Sequence, residues 1–214
     1  MRATKSLPAE YQSYTTVSLQ RNKGLLILLT VLGALLAGFF TWIFLLILQH
    51  LRSDTVAIAH QFYTSTPTEY FTITLDLFTF ITAAAAIMLI APIHEAVHGI
   101  FFWLFTGTRP TFAYKLLYAY AAAPDWYIPR GPYLVIGLAP FALLTAIGIA
   151  LMPILPSVLI PALLLFMVFN AAGAVGDLAV CLWLLFQPID LLARDAGDVL
   201  TLYRHTSTPV QQPS

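Results

Sequence analysis

The sequence predicts an all-α integral membrane protein with about four transmembrane helices and a small cytoplasmic loop that contains β-structure. Of its 214 residues, 59% are hydrophobic and only 9% are charged, whereas about a quarter of the residues in a soluble domain are charged. The net charge is zero, so no basic field suggests a nucleic-acid partner. The lipid bilayer is therefore the expected environment.

Four apolar segments account for the predicted spans, and each is long enough to cross a hydrocarbon core about 30 Å thick. They cover residues 24–49, 71–105, 132–152 and 157–187. The second would be about 52 Å long as one straight helix, so it must tilt, break or project. Pro92 removes a backbone donor inside it and is expected to kink the helix.

The polar segments divide the chain around this core. Residues 1–23 form a cytoplasmic N-terminal segment, expected to be mobile at its start, and residues 24–187 form a four-span membrane core that includes the 107–131 loop. Residues 188–214 form a cytoplasmic tail with a possible strand at 199–203. Within the core, the 107–131 loop mixes aromatic and β-forming residues between turn signals, which predicts one or two short strands.

Positive charge predicts the orientation of these segments. Residues 1–23 carry four Lys or Arg residues, the 107–131 loop three and the tail two, whereas the connection at 50–70 carries one. Cytoplasmic segments are enriched in Lys and Arg. We therefore expect a multi-pass cell-membrane protein with both termini and the strand-bearing loop in the cytoplasm.

A metal-binding motif lies in the second span, where His94, Glu95 and His98 form the pattern HExxH. On a helix the two histidines are one turn apart, so both imidazoles can reach one ion. Glu95 is rotated about 100° from His94, where its carboxylate can accept a proton from an activated water molecule without being a ligand. The alternative is that these residues have no function on the helix, which leaves the cost of burying them in lipid unexplained.

A catalytic zinc ion has three protein ligands and one open position, so a third ligand must come from elsewhere. Phe101 and Leu104 stand where the metzincin extension needs Gly and His, and no Glu follows Glu95. The remaining candidates are Asp125, Asp177, Asp190, Asp195, Asp198 and His205.

Asp177 is the candidate that lies inside a span. It and the HExxH motif both lie about 15 Å from the cytoplasmic ends of their helices. Asp177 is therefore the predicted third ligand, with a structural or proton-relay carboxylate as the alternative. Gly173 and Gly176 are expected to let its span approach the second span closely. Asn170, two turns earlier on nearly the same face, either contacts substrate or ties helices together.

With the HExxH motif in one span and residues 170–177 in a later one, the chain resembles the membrane-embedded site-2 proteases. It is more similar to the "putative zincin peptidase" family of small bacterial membrane proteins, which share the motif-bearing span, the 114–129 stretch and a late Gly-Asp pair. The resemblance covers roughly residues 70–205. It implies that His94, His98 and Asp177 bind zinc (Zn²⁺) and that Glu95 is the catalytic acid/base.

The predicted function is a membrane-embedded zinc metalloprotease that hydrolyses a peptide bond in or near the membrane. Its partner would be a membrane protein or a membrane-associated peptide. Two other interpretations stay open, a catalytically inactive zinc-binding scaffold or sensor and a metal-ion carrier. The 111–120 stretch is expected to present a strand edge to an extended substrate, or else only to cap the membrane face.

Overall fold

The computed structural model describes residues 2–18, 23–52, 77–115, 118–197 and 199–206. The helices in these ranges are α1 (Lys23–Leu51), α2 (Leu77–Thr106), α3 (Arg130–Leu151), α4 (Ile160–Gly173) and α5 (Val175–Leu185), with a 3-10 turn at Ser157–Leu159. The strands are β1 (Tyr11–Ser18), β2 (Thr111–Lys115), β3 (Tyr118–Ala122), β4 (Ile128–Pro129), β5 (Leu192–Asp195) and β6 (Val199–His205).

Three or four of the helical segments match the predicted spans. Helices α1, α2 and α3 are each long and apolar enough to cross a membrane, and α4 with α5 meets the same criterion as one bent pair. Many large apolar side chains of these helices are exposed on the surface of the protein, among them Met88 and Leu104. Such surfaces are expected where helices face acyl chains instead of water. The start of the second predicted span, at residues 71–76, lies outside the described residues.

A helix break occurs in the fourth predicted span, whereas the kink expected at Pro92 stays a prediction. Pro92 lies inside α2, and the helix continues on both sides of it. The span predicted at 157–187 is instead divided at Ala174, where α4 and α5 meet at an angle of 42°. Gly173 and Gly176 flank this junction, and glycine is the weakest helix former after proline.

An antiparallel sheet of order β1-β6-β5-β4 lies at one end of the helices. It joins three distant parts of the chain, because β1 precedes α1, β4 belongs to the loop after α2, and β5 and β6 follow α5. Its apolar face packs on the helix ends, in a cluster that includes Phe102, Ile136, Leu184 and Leu202. The three segments that carry nine of the ten Lys and Arg residues thus meet at this end.

The N-terminal segment, expected to be mobile at its start, contains a strand that the sequence analysis did not predict. Instead of a mobile segment, the structure has β1 paired with β6, and Thr4 exchanges two backbone hydrogen bonds with Tyr127. Sequence analysis missed β1 because its partner is almost the whole chain away and because most of its side chains are at least partly exposed. The strands expected in the loop and at 199–203 are present.

Helix α1 packs against α4 and the start of α5 through a small residue. A Cβ on Gly33 would lie 3.3 Å from the carbonyl oxygen of Ala172 and 3.6 Å from the Val175 side chain. Small residues allow this close approach between apolar helices. The contact holds α1 against the α4–α5 junction, a few residues before Asp177.

Candidate metal centre

Helix packing brings the three predicted ligands together. Helix α2 packs against α4, and α5 follows directly with Asp177 in its first turn. His94 Nε2 lies 3.1 Å and His98 Nε2 lies 3.4 Å from Asp177 Oδ2. Both imidazoles are buried, and Asp177 is partly buried. The sequence predicted that Asp177 and the two histidines lie at the same depth in the membrane, and in the structure these side chains are neighbours.

The donor set suits zinc. Imidazole nitrogen and carboxylate oxygen are zinc ligands, and with bonds of about 2.0–2.1 Å in a tetrahedron, neighbouring ligand atoms lie about 3.3 Å apart. One ligand atom from each of the three residues lies within 4.8 Å of the other two. Within the described parts of the chain, this is the one group of His, Cys, Asp and Glu side chains that could hold a metal ion.

The outer nitrogen of each imidazole has a fixed acceptor. His98 Nδ1 lies 2.9 Å from the carbonyl oxygen of Ile136 in α3. A carbonyl oxygen can only accept, so His98 Nδ1 carries the proton. His94 Nδ1 lies 3.0 Å from Asn170 Oδ1. The Asn170 nitrogen faces the carbonyl oxygen of Pro140 at 3.4 Å, which leaves the amide oxygen to accept from His94.

These hydrogen bonds determine which tautomer both histidines adopt. With protons on Nδ1, the lone pairs of both Nε2 atoms face the carboxylate of Asp177. Three electron-pair donors brought together in a buried site need a positive charge between them. A proton would satisfy only one nitrogen–oxygen pair, whereas a divalent metal ion can accept all three donors. The arrangement therefore fits a zinc ion.

Asn170 is completely buried, and its contacts explain why a polar side chain is tolerated there. Its oxygen faces His94 on α2 and its nitrogen faces α3, so the amide connects three helices. Of the two roles considered from the sequence, these contacts favour a tie between helices.

Glu95 lies beside this cluster without belonging to it. Its Oε2 accepts a hydrogen bond of 2.8 Å from the backbone N–H of Ala121 in β3. Its Oε1 accepts none from the residues that the structure describes. The half-buried carboxylate is thus held by one of its two oxygens.

The β2–β3 hairpin lies close to the motif helix. Ala121 pairs with Phe112 across the hairpin, yet its N–H points to Glu95, so the edge of β3 that pairs with no described strand, here called the free edge, faces the site. Gly99 makes this approach possible, because a side chain there would collide with the Phe112 ring. The loop strands predicted from the sequence therefore lie beside the HExxH motif.

The other described candidates for the third ligand are not in the cluster. Asp195 accepts hydrogen bonds of 2.7 Å from the Tyr133 hydroxyl and from the Gly197 N–H. Burial raises the pKa of Asp195 above its ordinary value, and these two hydrogen bonds partly offset that effect. Three of the remaining candidates are exposed, namely Asp125, Asp190 and His205. The last, Asp198, lies outside the described residues.

The expected role of two glycines is corrected. Gly173 and Gly176 were natural candidates for a close contact between the second and fourth spans. However, no described atom lies within 4 Å of the position that a Cβ would take at either residue. The two glycines instead flank the break between α4 and α5, where their low helix propensity has its effect.

Two backbone groups in the site escaped sequence analysis. The carbonyl of Ile136 binds His98 and the N–H of Ala121 binds Glu95. A backbone group is the same in every non-proline residue, so residue types give no direct indication of it. An indirect indication for Ile136 was available in the sequence, since a proline follows it by four positions.

A family model matches residues 86–192, which is half of the chain and includes the HExxH motif, the hairpin, Asn170 and Asp177. That family is described as "Putative zincin peptidase". The chain belongs to this family. The resemblance noted from the sequence is thus confirmed, and membership supports metallopeptidase activity with zinc as the metal. No curated protein and no solved structure matches the chain.

Asp177→Ala should lower zinc affinity by more than the roughly 10- to 100-fold that loss of an outer hydrogen-bond partner costs, because a direct ligand is removed. Metal analysis and competition with a chelator on the purified protein measure the effect. Asp190→Ala is the matched control, since Asp190 is an exposed aspartate in the same part of the chain. Equal zinc affinity in both variants would exclude Asp177 as a ligand.

Proposed function

We propose that this protein is a membrane-embedded zinc metallopeptidase that hydrolyses a peptide bond in or near the membrane. His94, His98 and Asp177 would hold the metal, and Glu95 would be the general base and then the general acid. The observation that carries the proposal is the convergence of three donors from two helices, with Glu95 adjacent but not among them.

Each residue of the site has a chemical task in this proposal. When bound, zinc would polarise the scissile carbonyl and acidify a water molecule. Glu95 accepts the proton of the attacking water on Oε1 and passes it to the leaving amine. The N–H of Ala121 holds Oε2 and so restricts the rotation of the carboxylate. Asn170 and the carbonyl of Ile136 keep the imidazoles in the tautomer that presents Nε2.

We further propose that the sheet end of the molecule is cytoplasmic. The N-terminal segment, the 107–131 loop and the tail contain nine of the ten Lys and Arg residues, and strands from all three meet in one sheet. This grouping supports an orientation in which both termini are inside the cell. A cysteine placed at the exposed Ser13 should resist impermeant thiol reagents in intact cells, and ready labelling there would reverse the orientation.

The substrate in this proposal is a membrane protein or membrane-associated peptide, bound in extended form along the free edge of β3. A transmembrane helix uses its carbonyl groups in its own hydrogen bonds, so it must unwind before it can be cut. Unwinding exposes backbone groups that an edge strand can pair with. The position of this edge next to Glu95 supports the proposal.

Glu95→Gln should leave the fold and zinc content unchanged while slowing peptide cleavage by roughly 10²- to 10⁴-fold, because glutamine preserves the shape but cannot accept a proton. Cleavage of a membrane-peptide substrate and metal content are measured on the same preparation. Glu10→Gln, at an exposed position, is the matched control. Zinc binding without any cleavage by the parent would favour the scaffold or sensor, and weak, exchangeable zinc would favour the carrier.

Ala119→Pro should slow cleavage by roughly three- to tenfold, because it deletes a donor on the same edge of β3 as Ala121 and each such hydrogen bond contributes modestly. Tyr114→Pro is the matched control, since residues 114 and 119 are cross-strand partners and the N–H of residue 114 faces the opposite edge. Zinc content should be unchanged in both variants. Equal rates for the two would reject binding of substrate along β3.

A further inference from the structure

The outer hydrogen bonds of the two imidazoles both lead to one place in α3. His98 is bonded to the carbonyl of Ile136, and Asn170, which holds His94, faces the carbonyl of Pro140. Pro140 lies inside α3 and is completely buried. A proline at this position is unusual, because it cannot donate the hydrogen bond that continues a helix.

The missing N–H has a specific consequence for Ile136. In an α-helix the N–H of each residue donates to the carbonyl four positions earlier, so residue 140 would normally donate to Ile136. Proline has no N–H, and the Ile136 carbonyl is left without its helical partner. His98 Nδ1 occupies that carbonyl at 2.9 Å in a buried environment.

The match between these two groups satisfies both of them. A buried carbonyl without a donor is costly in apolar surroundings, and so is a buried imidazole N–H without an acceptor. An N–H at residue 140 would engage one of the two lone pairs of this oxygen, and so weaken and redirect its bond to His98. The proline therefore reserves this acceptor for the histidine.

Pro140 also acts on the second histidine through its own carbonyl group. The Asn170 nitrogen faces this oxygen at 3.4 Å, so the amide oxygen is turned toward His94 Nδ1 at 3.0 Å. One residue thus contributes to the orientation of both imidazoles, by a missing donor in one case and by an acceptor in the other.

We propose that Pro140 is a positioning residue of the metal centre, which frees the Ile136 carbonyl for His98 and orients Asn170 for His94. The inference rests on the proposed function, because it takes both imidazoles as zinc ligands through Nε2. It extends the set of functional residues to a third helix that supplies no ligand.

Pro140→Ala tests the proposal directly, since it restores the competing N–H. Zinc affinity, measured by chelator competition, should fall roughly 10- to 100-fold, as expected for loss of a hydrogen bond behind a ligand. Helix content and thermal stability should be unchanged or higher, because alanine favours a helix more than proline does. A purely structural proline would give the opposite combination, lower stability with unchanged zinc affinity.

Pro92→Ala is the matched control, because Pro92 is also inside a helix but is not bonded to either imidazole. Its zinc affinity should stay within about twofold of the parent, well below the effect expected behind a ligand. Equal losses in the two variants would mean that any change in helix curvature disturbs the site, and would overturn the assignment to Pro140.

A second measurement does not depend on zinc. Nitrogen NMR of histidine-labelled, metal-free protein in mildly alkaline buffer reports which ring nitrogen carries the proton. His98 should be protonated on Nδ1 in the parent and should gain a population protonated on Nε2 in Pro140→Ala. An unchanged tautomer together with unchanged zinc affinity in Pro140→Ala would overturn the inference alone. A parent that shows these tautomers but binds no zinc would overturn the proposed function, and of the inference it would leave only the effect of Pro140 on the His98 tautomer.

Asn170 variants test the second half of the proposal. Asn170→Leu removes the acceptor for His94 and should lower zinc affinity to a similar extent, roughly 10- to 100-fold. Asn170→Asp keeps an acceptor and should restore most of that affinity, since carboxylate–histidine–zinc arrangements are common behind metal ligands. Equal affinities for the Leu and Asp variants would show that Asn170 does not act through His94.

Discussion

Two imidazoles can be buried among apolar helices only if each of their ring nitrogens has a partner. The outer nitrogens of His94 and His98 are bonded to an amide and to a carbonyl, and the inner ones converge on Asp177. This requirement explains much of the architecture. Helices α3 and α4 must both contact α2, and the junction between α4 and α5 must bring Asp177 to the same point.

The histidines and the glutamate of the HExxH motif are held by different parts of the fold. The histidines are held by helices, whereas Glu95 is held by the hairpin between α2 and α3. The proposed metal ligands and the proposed proton acceptor thus have separate supports, so changes in the hairpin can reposition Glu95 without moving the histidines. The close approach of the hairpin depends in turn on the absence of a side chain at Gly99.

The predictable parts of the structure follow from side-chain type and local spacing. The helical spacing of His94 and His98 indicated a shared ion, and Asp177 was chosen because it is the aspartate inside a late apolar segment. The break at Ala174 was missed because the mean hydropathy of the segment stays high across it and the flanking glycines were interpreted as helix-packing residues. The N-terminal strand and the backbone partners of His98 and Glu95 depend on contacts between distant parts of the chain. No local pattern encodes such contacts.

The pairing of β1 with β6 has a consequence for the order of events during synthesis. Residues 11–18 precede the described helices, whereas their partners at 199–205 follow them. Strand β1 must therefore wait until those helices have been made. His94, His98 and Asp177 are complete before β5 and β6 exist, so the helices can associate around the metal site before the sheet closes their end. Strand β6, made after the described helices, is the partner that gives β1 its place.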